Sequence, residues 1–119
     1  MLLLHDAGVM DDEPVAPVFL LDGGDVMVVE DPAFASRELE PFLADQPVEL
    51  YDALGRPVSI VVTGQSARER VAGLVVADGP LQELRLREAL TAYLRAARRT
   101  PPKEPDILDF ARAAARLIR

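Results

Sequence analysis

The chain has no cysteine, no asparagine, one histidine and one lysine among its 119 residues. Without cysteine there can be no disulfide, no thiolate metal site and no thiol nucleophile. This composition fits a reducing compartment. The single histidine, His5, lies near the N-terminus, where a solvated role is the expectation. A catalytic triad needs a histidine beside a nucleophile with an orienting acid. Ser59 and Ser66 lie in no nucleophile-elbow context, and Ser36 lies inside a helical stretch. No segment approaches the ~20 apolar residues of a membrane span. Met1-Leu2-Leu3-Leu4 is stopped by His5 and Asp6, lacks a basic leader and is shorter than the ~7–15 apolar residues of a signal sequence. Neither G-x-x-x-x-G-K-[ST] nor G-x-G-x-x-G occurs. The six aromatic residues form no stacking stripe for bases. We therefore expect a cytoplasmic protein that is not an enzyme, with no cofactor, no metal and no membrane.

What is present suits one globular domain. A chain of this length buries roughly two-thirds of its unfolded surface, enough for one real core, and 50% of its residues are hydrophobic. Arginine supplies nearly all the positive charge, and alanine, valine and leucine abound, a bias typical of GC-rich bacterial genomes. The net charge of −7 is unevenly spread. Residues 1–60 hold thirteen acids and two bases, and residues 61–119 hold seven acids and eleven bases. Such asymmetry points to interaction surfaces.

Residues 1–17 carry Asp6, Asp11, Asp12, Glu13, Pro14 and Pro17 and read as an acidic N-terminal arm or loop ahead of a single domain over 18–119. Val18-Phe19-Leu20-Leu21 and Val26-Met27-Val28-Val29 flank Asp22-Gly23-Gly24-Asp25, a strong hairpin signal because a tight turn needs positive φ at its centre. Both runs are nearly continuous, so both faces should be covered. Asp31-Pro32 is an N-cap followed by proline at the first helical position. Phe34, Leu39 and Phe42 then predict a helix to about Leu43, with Pro41 near its end. Residues 48–51 and 58–62 flank Asp52-Ala53-Leu54-Gly55 and predict a second hairpin, with Gly55 left-handed and Pro57 at an edge or bulge. Residues 71–77 predict a fifth strand. A long helix follows Asp78-Gly79-Pro80, with Leu86, Leu90, Tyr93, Leu94 and Ala97 on one face. After Pro101-Pro102, Asp106 caps a last helix whose Ile107, Phe110, Ala111, Ala114 and Ile118 face inward. The order ββαβββαα predicts an α+β layer fold, an antiparallel five-stranded sheet covered by helices.

The Phe19–Val28 run, the Asp31-Pro32 start, Leu39-Glu40-Pro41 and the Tyr51-Asp52…Gly55-Arg56 turn resemble a group of small uncharacterised actinobacterial proteins. In size, acidity and layout the chain is similar to immunity proteins that neutralise secreted toxins. The likeness covers residues 18–62 and implies no particular functional residues.

Function is expected in binding. Clustered carboxylates steer a basic partner and raise its on-rate. Asp11, Asp12, Glu13, Asp22 and Asp25 lie on an arm and a turn where side chains are reachable, and they are the candidate contacts for a basic protein partner. The spacing of these acids lacks the alternating ligands of a calcium loop. One alternative is self-association into a homo-oligomer, the acidic half of one copy meeting the arginine-bearing helices of another. A second is nucleic-acid contact through Arg85, Arg87, Arg95, Arg98, Arg99, Arg112 and Arg116, which the net negative charge opposes.

Overall fold

The structure, a computed structural model, describes residues 13–119. Strand β1 (Val18–Asp22) pairs antiparallel with β2 (Asp25–Val29), Val18 opposite Val29 and Asp22 opposite Asp25. The two-residue turn between them has φ 57° at Gly23 and 96° at Gly24. Positive φ at both central positions matches the right-handed twist of the flanking strands. On its other edge β1 pairs with the short β3 (Glu49–Tyr51), Phe19 opposite Tyr51 and Leu21 opposite Glu49.

The single five-stranded sheet expected from the sequence is corrected here. Strands β4 (Val58–Thr63) and β5 (Arg70–Val76) form a separate two-stranded sheet beside the three-stranded β2-β1-β3. The expected hairpin between residues 48–51 and 58–62 reduces to one bridge, Tyr51 to Pro57. Proline has no N–H to donate to a ladder, so pairing stops there and β4 pairs with β5 instead.

Side-chain alternation along β1 explains the layers. Phe19 and Leu21 share one face with Val26 and Tyr51 and pack against the helices. Val18 and Leu20 share the other with Val29 and Leu50 and pack against Val58, Val71 and Leu74 of the second sheet. The central strand is thus covered on both sides, as its unbroken apolar run predicts.

The helix expected over residues 31–43 is also corrected. Two 3-10 segments, Pro32–Arg37 and Pro41–Asp45, occupy the region. Asp31 does cap the first, its carboxylate accepting from the Ala33 N–H at 3.0 Å. Pro41 disfavours helical geometry in the residue before it, and Glu40 is extended (φ −88°, ψ 142°). What survives is the burial of Ala35 and Leu39 in the second core.

Helix α1 (Glu83–Ala96) buries Leu86, Leu90 and Leu94, a stripe of spacing four. It starts later than Pro80 because the β3–β4 turn abuts its first residues. The carbonyl of Gly55 (φ 84°) accepts from the Gln82 N–H at 2.8 Å, and a Cβ there would lie 2.9 Å from the Glu83 nitrogen. Helix α2 (Ile107–Ile118) is capped by Asp106, which accepts from the Asp109 N–H at 3.0 Å. Arg87 of α1 donates to the Glu104 carbonyl at 3.1 Å and lies over the Phe110 ring at 4.7 Å. Arg99 donates to the Leu117 carbonyl. These contacts at opposite ends set α1 and α2 side by side in the same direction, with residues 97–106 running back between them.

Of the expected acidic arm, residues 13–17 lie within the described chain, and Asp52 ties them down. This carboxylate is fully buried. Its Oδ2 accepts from the Val15 N–H at 3.0 Å and the Arg56 Nε–H at 2.9 Å. Its Oδ1 accepts from the N–H groups of Leu54 and Arg56, both at 3.0 Å. The Val15 carbonyl in turn accepts from the Ala53 N–H at 2.9 Å.

Candidate functional site

The β1–β2 hairpin and α1 enclose an open groove of about 660 Å³. Its apolar wall is Leu21 and Val26 from the hairpin and Ala89, Ala92, Tyr93 and Ala96 from α1. The alanines follow from helical spacing: they sit beside the leucine stripe, and their small side chains leave the space open. The polar rim is Asp25 at the hairpin tip, Glu49 at the start of β3, and Arg85 and Glu88 on α1. The volume falls within the ~300–1,000 Å³ of ordinary ligand clefts.

Glu49 and Tyr51 are two residues apart on a strand, so their side chains share the helix-facing side. The Tyr51 hydroxyl donates to Glu49 Oε1 at 2.7 Å. Arg85 donates to both carboxylate oxygens, Nε to Oε1 at 3.0 Å and Nη2 to Oε2 at 2.6 Å, the two-pronged geometry that guanidinium and carboxylate favour. The Arg85 hydrogen bonds hold the Glu49 carboxyl below its ordinary range, overcoming partial desolvation, and the Tyr51 hydroxyl acts in the same direction. The same pairing raises Arg85. Burial, followed by the hydrogen bond to Glu49, pushes the Tyr51 phenol up to about 12.

The sequence candidates fall in different places. Asp11 and Asp12 lie outside the described residues. Glu13 is exposed, its carbonyl accepts from Arg56 at 3.1 Å, and it borders a separate depression with Pro32, Ala72 and Gly73. Asp22 and Asp25 are exposed at the hairpin tip, and Asp25 reaches the groove, one Oδ accepting from the Val26 N–H at 3.1 Å. Asp25 therefore lines the same groove as Glu49 and Glu88, while Glu13 belongs to another surface. Glu49, Tyr51, Arg85, Glu88 and Tyr93 were not foreseen as one cluster. The two-residue spacing of Glu49 and Tyr51 was the available signal, but only the pairing of β3 with β1 brings it beside α1.

Of the arginines weighed for nucleic acid, Arg85, Arg87 and Arg99 are engaged within the chain. Arg112 and Arg116 border a shallow cleft with Glu30 and Arg119, where Arg119 pairs with Glu30 at 2.8 Å. Among the described residues no group of three or more His, Asp or Glu side chains could hold a metal ion, and no helix is long and apolar enough to cross a membrane. No protein-family profile, curated protein or solved structure matches this chain.

Proposed function

We propose that this chain is a cytoplasmic protein-binding module for a basic partner, engaged through the tip of the β1–β2 hairpin and the groove beside it. The observation that carries this reading is the groove itself: an apolar wall whose rim holds the carboxylates of Asp25 and Glu88 from two separate elements, beside the internally paired Glu49 and Arg85. Apolar burial supplies affinity, and the acidic rim supplies steering and partner choice. Asp22 extends the acidic surface outward at the tip. The size and acidity shared with toxin-immunity proteins make inhibition of a basic toxin the specific form of this function.

The test is affinity capture from native lysate by the wild-type chain and by a variant carrying Asp22→Asn, Asp25→Asn and Glu88→Gln, with the captured protein identified, purified and titrated. The expected result is a basic protein held by the wild type, released by salt and lost in the variant. A partner that binds both forms equally and is indifferent to ionic strength would refute the assignment of this surface.

A further inference from the structure

The charges around the groove are unequally occupied. Glu49 is consumed by Arg85 and Tyr51. Glu88 makes no ion pair or hydrogen bond among the described residues, and Asp25 accepts only from its neighbour's backbone. Helix geometry offers Glu88 one obvious internal partner. Arg85 lies three residues before it on α1, a spacing that brings side chains together, and no other basic residue is three or four positions away. On its far side Glu88 shares a shallow depression with Arg87 and Arg95, but neither is within ion-pair distance, and Arg87 is held by the backbone carbonyls of residues 104 and 105. Arg85 is thus the groove's own competitor for Glu88: it feels the Glu88 charge, but Glu49 takes its two hydrogen bonds.

We propose that the groove receives one long cationic side chain, lysine or arginine, from the partner, with its charged head at Asp25 and Glu88, and that Glu49 and Tyr51 keep this place vacant by holding Arg85 away. This rests on the protein-binding reading and names the group recognised. The chemistry fits a flexible apolar stem ending in a cation. The stem lies along Ala89 and Ala92 and the half-buried Tyr93, as such stems do on apolar surface, and the ring adds attraction for the charge. Glu49 and Tyr51 are positioning residues in this scheme, because they act through Arg85.

The probe is the full chain titrated with N-acetyl-arginine amide, N-acetyl-lysine amide and the neutral N-acetyl-citrulline amide, followed by backbone amide NMR at low ionic strength. Both cations should shift the amides of Gly24, Glu88 and Ala92, and citrulline should not. Glu88→Gln should weaken binding about fivefold, the upper range for an exposed ion pair. Glu49→Gln should weaken it comparably, and adding Arg85→Gln to Glu49→Gln should restore it, an outcome that a misfolded variant cannot produce. Citrulline shifting the same amides as arginine would overturn cation recognition. Glu49→Gln binding as tightly as wild type would overturn the role of the latch. A basic protein bound in a salt-dependent but Glu88-independent way would remove this inference and leave the binding module standing. Specific cation shifts with no protein partner would do the reverse.

Discussion

Replacing Asp52 with asparagine keeps the shape of a buried side chain but removes its charge and one of its two acceptor oxygens. The aspartate accepts from the N–H groups of Val15, Leu54 and Arg56 and from the Arg56 Nε–H, and its Oδ2 also pairs with Arg56 Nη2 at 2.8 Å. Asparagine has one acceptor oxygen and one NH₂ group that can only donate. If the oxygen faces Leu54 and Arg56, the NH₂ group meets the Val15 N–H and the Arg56 Nε–H, donor against donor. The flipped amide confronts two backbone donors instead. In the first arrangement the losses are the bond from the Val15 N–H and the ion pair with the Arg56 guanidinium, each involving the carboxylate charge and worth about 1.5–3 kcal/mol. The expected destabilisation is about 3–6 kcal/mol, a large part of the ~5–15 kcal/mol that holds a domain folded. Urea unfolding followed by circular dichroism reads this as a lower midpoint at unchanged slope. Amide exchange should also quicken at Val15, whose N–H loses its acceptor. A loss below about 1 kcal/mol, the range of an exposed ion pair, would refute the view that Asp52 is the anchor of residues 13–17.

Three other predictions follow from local geometry. Arg98 closes α1 in the left-handed region (φ 60°), with its N–H on the Arg95 carbonyl at 3.0 Å and the Arg99 N–H on Leu94 at 2.8 Å. Glycine is the residue that normally fills this position, so Arg98→Gly should stabilise the protein by about 0.5–1 kcal/mol in thermal or urea unfolding. Leu90 is fully buried between the sheet and α2, and Leu90→Ala should cost about 2–5 kcal/mol by the same assays. Tyr51 is raised by burial and by Glu49 to about 12. Its stabilising contribution is therefore complete below the unfolded tyrosine value near 10 and is lost as pH rises through about 12. Tyr51→Phe should flatten the loss of stability over that window, and the phenolate absorbance of the folded wild type should retain a component that titrates near pH 12.

Local chemistry was the legible part of this fold. Gly23-Gly24 announced a two-residue turn, Gly55 a left-handed position and Asp106 a cap, because each depends on atoms only a few residues away. Leu86, Leu90 and Leu94 announced the buried face of α1 by spacing alone. The division into two sheets was not legible, because the choice of partner for β3 depends on contacts distant in sequence and on Pro57 ending one ladder. Asp31 and Pro32 marked a helix start correctly but said nothing of its length or type, which Pro41 cut short. Asp52 read as an ordinary turn residue, though Arg56 four positions on was the trace of its buried pairing. The groove was least legible of all: Asp25, Glu49 and Glu88 come from three elements and converge only after the hairpin has packed on α1.

The central position of β1 carries a consequence for how the chain finds its alignment. In a sheet with one wet face, a slip of one residue exposes apolar side chains and buries polar ones, so solvent itself corrects the error. Here a slipped β1 would present Val18 and Leu20 to the helices and Phe19 and Leu21 to the second sheet, trading one greasy set for another. Water is a poor proofreader of such an exchange. Discrimination falls to shape, since one phenylalanine ring must fit only one of two closely packed interiors, and to the glycine pair at the tip, which admits a two-residue turn and so sets the frame from which both interiors are read.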